Sequence, residues 1–133
     1  MTLDVFLASF RSGEEVPVDS DALDAALAAS GLAGDHTVVR TTDGGTADLL
    51  VDTDGASFLI TRLTPGVSRL LFDVAQAARL VVLPADGTPN AYVVDEGLAA
   101  GLPEDLNPHV VTTSASLNKA LEASAEARGA RTG

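Results

Sequence analysis

The sequence predicts a single α+β domain, two layers deep, with a mainly antiparallel sheet that includes a β-meander and a central helix packed on it. Three observations carry this reading. Within Thr64–Pro84 the apolar residues first recur at helical spacing (Val67, Leu70, Leu71, Val74, Ala75, Ala78) and then run together from Leu80 to Leu83. That is the pattern of an amphipathic helix feeding a buried strand. Upstream, Asp43-Gly44-Gly45 and Asp54-Gly55 punctuate three short strand-forming runs. Glycine takes positive φ without a Cβ clash, so such turns favour antiparallel hairpins. Finally, the helices interleave irregularly with strands, unlike the strict alternation of a doubly wound nucleotide fold.

Taken in order, Leu3–Phe10 is a strand in which Leu3, Val5 and Leu7 alternate with Asp4, Phe6 and Ala8. Phe6 on the second set leaves its buried face open. Arg11–Glu15 reads as a polar turn, and Val16–Asp19 leads into a helix capped by Asp19 or Ser20. Leu23, Ala26, Leu27 and Ser30 form its apolar stripe, and Asp21 and Asp24 sit where the helix dipole favours negative charge. Gly31 ends it, with Leu32 as a return contact. The meander strands are placed at 36–42, 46–52 and 56–63. Thr64 then caps the central helix, with Pro65 at the first helical position, where a missing N–H costs nothing.

After Pro84 a turn leads to a strand at Ala91–Val94, which can pair with Leu80–Leu83. Residues 97–108 hold two prolines and two glycines and read as loop, with a helical turn at Pro103–Leu106. Val110–Thr112 is a short strand. Thr113 or Ser114 caps a last helix whose face is Leu117, Ala120, Leu121 and Ala125. The domain is expected to span 1–125, with 126–133 as a flexible tail. A partly parallel sheet, with Leu80–Leu83 beside an earlier strand, buries the same helical stripe.

The 133 residues suffice for one core without metal or disulfide staples. Alanine, leucine and valine dominate, and four Phe and one Tyr leave few stacking platforms for bases or sugars. Cysteine is absent, which excludes disulfides, thiol catalysis and thiolate metal sites. The start, MTLDVFLASFRSG, carries an acid at position 4 and no basic region of a signal peptide, so a cytoplasmic protein is expected. No apolar run approaches the roughly eighteen residues of a membrane helix.

Net charge is −11, unevenly spread. Residues 1–60 carry eleven acids against Arg11 and Arg40, a balance of −9; residues 61–133 carry eight acids against six bases, a balance of −2. A field of this sign repels nucleic acid and anionic lipid and steers basic partners inward. An ordinary acidic composition produces the same totals.

Candidate chemistry is sparse. His36 and His109 each start a short strand beside a turn, without a cluster at ligand spacing. Brought together in a cleft they would suit a small hydrolase or isomerase built on an Asp/His pair. Asp52-Thr53-Asp54-Gly55 resembles the opening of a calcium loop, but glycine comes at the fourth position rather than the sixth and no distal Glu follows at the required spacing. A capped hairpin turn explains it. No serine lies in a nucleophile elbow. Gly31-x-x-Gly34 follows a helix instead of preceding one, and the basic residues are too dispersed for a nucleic-acid footprint. The expectation is no catalytic residue, no cofactor and no bound metal.

The run FDVAQAARLVVLP (Phe72–Pro84), with LPEDL (Leu102–Leu106) and VVTTSASLNKAL (Val110–Leu121), resembles small uncharacterised α/β proteins of high-GC actinobacteria, some of which lie near secretion or toxin loci. The resemblance covers about two thirds of the chain. It rests on core patterning and carries over no functional residue.

These features favour an acidic protein-interaction module that docks a basic partner, in the manner of a toxin-immunity protein. Its expected recognition residues are Glu14, Glu15, Asp43, Asp48, Asp52 and Asp54. The alternatives are a structural subunit or homodimer whose sheet is completed across the interface, and the Asp/His enzyme.

Overall fold

The computed structural model describes residues 3–29, 31, 36–52, 55–85 and 89–132. They form β1 (Leu3–Arg11), β2 (Glu14–Val16), α1 (Ser20–Ala29), β3 (His36–Arg40), β4 (Thr46–Asp52), β5 (Gly55–Arg62), α2 (Pro65–Ala78), β6 (Val81–Pro84), β7 (Asn90–Val93), α3 (Glu96–Ala99), β8 (Asn107–Val110) and α4 (Ser114–Thr132). The sheet runs β3-β4-β5-β1-β6-β7-β8, with β2 paired to the end of β1. All pairs are antiparallel except β7 with β8. This is the α+β class expected from the sequence, with the meander β3-β4-β5 intact and β6 paired to β7.

Strand β1 is the axis of the sheet, bonded to β5 on one side and β6 on the other. Its alternation resolves the face left open by sequence. Leu3, Val5 and Leu7 are buried with Ala47, Leu49, Phe58, Ile60 and Val82 beneath the helices. Phe6 points to the opposite face and is 44% exposed. Against the inner face α1 contributes Leu23, Ala26 and Leu27, α2 contributes Val67, Leu71, Phe72, Val74 and Ala75, and α4 contributes Leu117, Leu121 and Ala125. Leu70 and Ala78 of the expected α2 stripe are only partly buried. Ser68 is fully buried instead and donates a 2.7 Å hydrogen bond to Asn118 Oδ1, tying α2 to α4.

The caps follow the chemistry of the sequence. Asp19 Oδ1 accepts the N–H groups of Asp21 and Ala22 at 3.1 and 3.2 Å, so Asp19 starts α1. Gly31, at φ 80°, follows its end; the return contact assigned to Leu32 lies outside the described residues. Thr64 accepts from Val67 N–H at 3.4 Å, and Thr113 from Ser116 N–H at 3.1 Å. At the far end of α2, Arg79 takes the left-handed conformation usually given to glycine, and the Leu80 N–H closes on the Ala75 carbonyl at 2.8 Å.

Several sequence expectations are corrected. The polar turn at 11–15 is a two-residue hairpin: Ser12 and Gly13 both take positive φ, and Glu14–Val16 returns along Ser9–Arg11. Three residues are too short a run to show period-two alternation. A turn does close at Pro103–Leu106, where the Leu106 N–H donates to the Pro103 carbonyl at 3.1 Å, but the helix of this segment lies at Glu96–Ala99, where Asp95 accepts the Leu98 N–H at 3.1 Å. The last strand is Asn107–Val110, not 110–112, and contains Pro108, which an edge strand tolerates. Residues 126–132, read as tail, have helical backbone within α4.

Candidate functional site

The two faces of the sheet differ in cover. The inner face lies under α1, α2 and α4. On the outer face, the half formed by β6, β7 and the end of β1 is roofed by α3 and the segment after it: Val81, Ala91 and Val93 are buried against Phe10, Leu83, Leu98, Ala99, Leu102 and Leu106. The other half, made of β3, β4, β5 and the start of β1, has no layer above it among the described residues. This bare half-face is the candidate site.

Strand register assembles it row by row. One row runs Phe6–Ser57–Leu50, and the next runs Asp4–Leu59–Asp48–Val38. A third, at the end nearest the β3–β4 turn, is Arg62–Thr46–Arg40, where a bulge between Thr46 and Ala47 shifts the pairing. Period-two alternation turns the side chains of the first two rows, with Thr46 and Arg40, outward once Leu49, Phe58 and Val5 point inward; Arg62 shares the parity of Phe58 and Ile60 and is exposed beyond the bulge. Val38 is 54%, Leu50 52% and Phe6 44% exposed, with Ser57 of β5 between Leu50 and Phe6. Ser57, Leu59, Asp4 and Asp48 are half-buried. The Thr46 and Thr61 hydroxyls share a 2.6 Å hydrogen bond at the Arg62 end. The surface is therefore apolar at one end, crossed by two carboxylates, and basic at the other.

Those of the six acids singled out from sequence whose side chains are described, Glu14, Glu15, Asp43 and Asp48, do not form one patch. Of these, Asp48 alone is placed at the centre of the bare half-face. Glu14 and Glu15 are exposed on β2, paired with Arg11 and Phe10 at the end of β1. Asp52 ends β4, opposite Gly55, and Asp54 lies outside the described residues. Asp43 sits in the turn before Thr46, at the other end of β4. Seven residues of strand put those ends roughly 20 Å apart.

Asp43 has an internal role. Its carboxylate accepts hydrogen bonds from the Thr41 hydroxyl, from the Thr64 hydroxyl at 2.7 Å and from the Gly66 N–H at 2.7 Å. The Thr41 hydroxyl, then Thr64, then the Gly66 N–H hold its pKa down from 3.8 to about 2, because each bond favours the charged form. The carboxylate also stands at the N-terminus of α2, where the dipole favours it. This clasp pins the β3–β4 turn to the helical layer and accounts for two glycines. A Cβ on Gly45 would lie 2.3 Å from Thr64 Oγ1, and one on Gly66 would lie 2.7 Å from Asp43 Oδ1.

The histidines are far apart. His36 is on β3 and His109 on β8, the two edges of the sheet, with six inter-strand steps of about 4.8 Å between them, roughly 29 Å. They cannot share a cleft. The His109 ring lies 5.4 Å from that of Tyr92, and its Nε2 is 3.1 Å from Asn90 Oδ1 and 3.4 Å from Asn107 Nδ2. Amides, not carboxylates, surround it.

Sequence reasoning missed Phe6, Val38, Leu50, Leu59 and Asp4 as members of one surface. The available signal was alternation in β4, where Asp48 and Leu50 share a parity opposite to Ala47, Leu49 and Val51. No helix among the described residues is long and apolar enough to cross a membrane. Comparison of the chain with protein-family models, curated proteins and solved structures finds no match to any of them.

Proposed function

We propose that this chain is a protein-interaction module and that the bare half-face of the sheet is where its partner docks. The observation that carries the reading is the exposure of Phe6 on β1, Leu50 on β4 and Val38 on β3 on one uncovered face, with Leu59 of β5 in register between Asp4 and Asp48. Large apolar side chains grouped on an uncovered sheet favour contact with another macromolecule. The two carboxylates and the net charge of −11 favour a partner that brings basic groups to an apolar contact. Asp48 remains the recognition acid in this reading. Asp43, whose oxygens are already bonded within the chain, does not.

The test is capture of partners from the source cell by the wild type, by a Phe6→Ser/Leu50→Ser double variant and by Asp48→Asn. A basic protein held by the wild type, lost by the double variant and weakened by Asp48→Asn at low salt supports the proposal; salt should narrow the last difference. A partner retained equally by all three sinks it.

Self-association is the second reading, favoured by the same exposed apolar residues. Sedimentation of the purified chain separates the two. A dimer that the double variant converts to a monomer assigns the face to a second copy.

A further inference from the structure

We draw no further inference here: the strongest candidate, the outward-facing backbone edge of β3 beside Val38 and Arg40, carries none because nothing in the structure shows what covers it.

Discussion

The two halves of the outer sheet face begin from similar side chains and end in different states. On the β6–β7 half, Val81, Ala91 and Val93 are buried; on the β3–β4 half, Val38 and Leu50 are more than half exposed. The difference is made by one segment, residues 95–106, which turns back over β6 and β7. It is fixed at several points. Asp95 caps α3 and pairs with Arg79 at 2.8 Å, the Gly13 N–H donates to the Gly101 carbonyl at 3.0 Å, and Gly101 lies so near the Phe10 carbonyl that a Cβ would approach it to 3.0 Å. Among the described residues the bare half has no such return, and its alternation includes Asp4 and Asp48, whose charges would be costly to cover without partners. An apolar residue on a strand is thus buried or bare according to what the chain does many residues away.

The comparison can be calibrated and then broken. Leu71, fully buried beneath the inner face, sets the scale. Leu71→Ala should cost about 2–5 kcal/mol in denaturant unfolding. A loss below about 0.5 kcal/mol would mean that α2 does not present this residue to the core.

Next comes the roof against the bare strand. Leu98→Ala should cost about 1–2 kcal/mol, since Leu98 is partly buried over Val81 and Val93. It should also raise binding of a hydrophobic dye as those valines open to water. Leu50→Ala, on the bare half, should stay within about 0.5 kcal/mol and lower dye binding, if it changes it at all. Equal costs for the two leucines would erase the distinction between the halves.

Asp95→Ala removes the cap of α3 and the partner of Arg79. The cap accounts for about 1 kcal/mol and the exposed ion pair for less. Hydrogen exchange should quicken in residues 96–106 while the amides of β4 and β5 keep their protection. Uniform quickening across the sheet would show that the roof is not a separate unit.

Asp43→Asn is read from its pH dependence: the variant should be less stable than the wild type above about pH 4, and the difference should close on the acid limb. The Asp43 carboxyl has a folded pKa of about 2, below its ordinary 3.8. Its contribution is therefore fully present above about pH 4 and is lost as pH falls through the folded value. Wild-type stability should decline between about pH 4 and 2 more steeply than that of Asp43→Asn. Parallel acid profiles would show that the clasp is not formed in solution.

Local features were legible in the sequence where one residue type has one physical use. Asp19, Thr64 and Pro65 mark helix starts because their side chains suit the unbonded N–H groups or lack one. The Asp43–Gly45 turn is legible because few residues accept positive φ. The roof was not legible: its helix is a single turn, and its glycines and prolines read as loop. The internal roles of Asp95 and Asp43 were not legible because their partners, Arg79 in one case and Thr64 and Gly66 in the other, lie 16 to 23 positions away. The acidic surface expected from Glu14, Glu15, Asp43, Asp48, Asp52 and Asp54 assumed that neighbours in sequence share a face, whereas β4 separates its two ends by its own length.

By itself, the sequence determined the class of the fold, the meander, the central helix with its N-terminal cap, and the absence of thiol chemistry. These follow from spacing, turn stereochemistry and composition, which act over a few residues. The tertiary structure alone decided that β1 is the axis of the sheet, that His36 and His109 stand on opposite edges, and which half of the outer face is covered. Those outcomes depend on which strands pair and where a distant segment returns. The free energy that selects them comes from burying side chains against partners remote in sequence, so no local pattern encodes them.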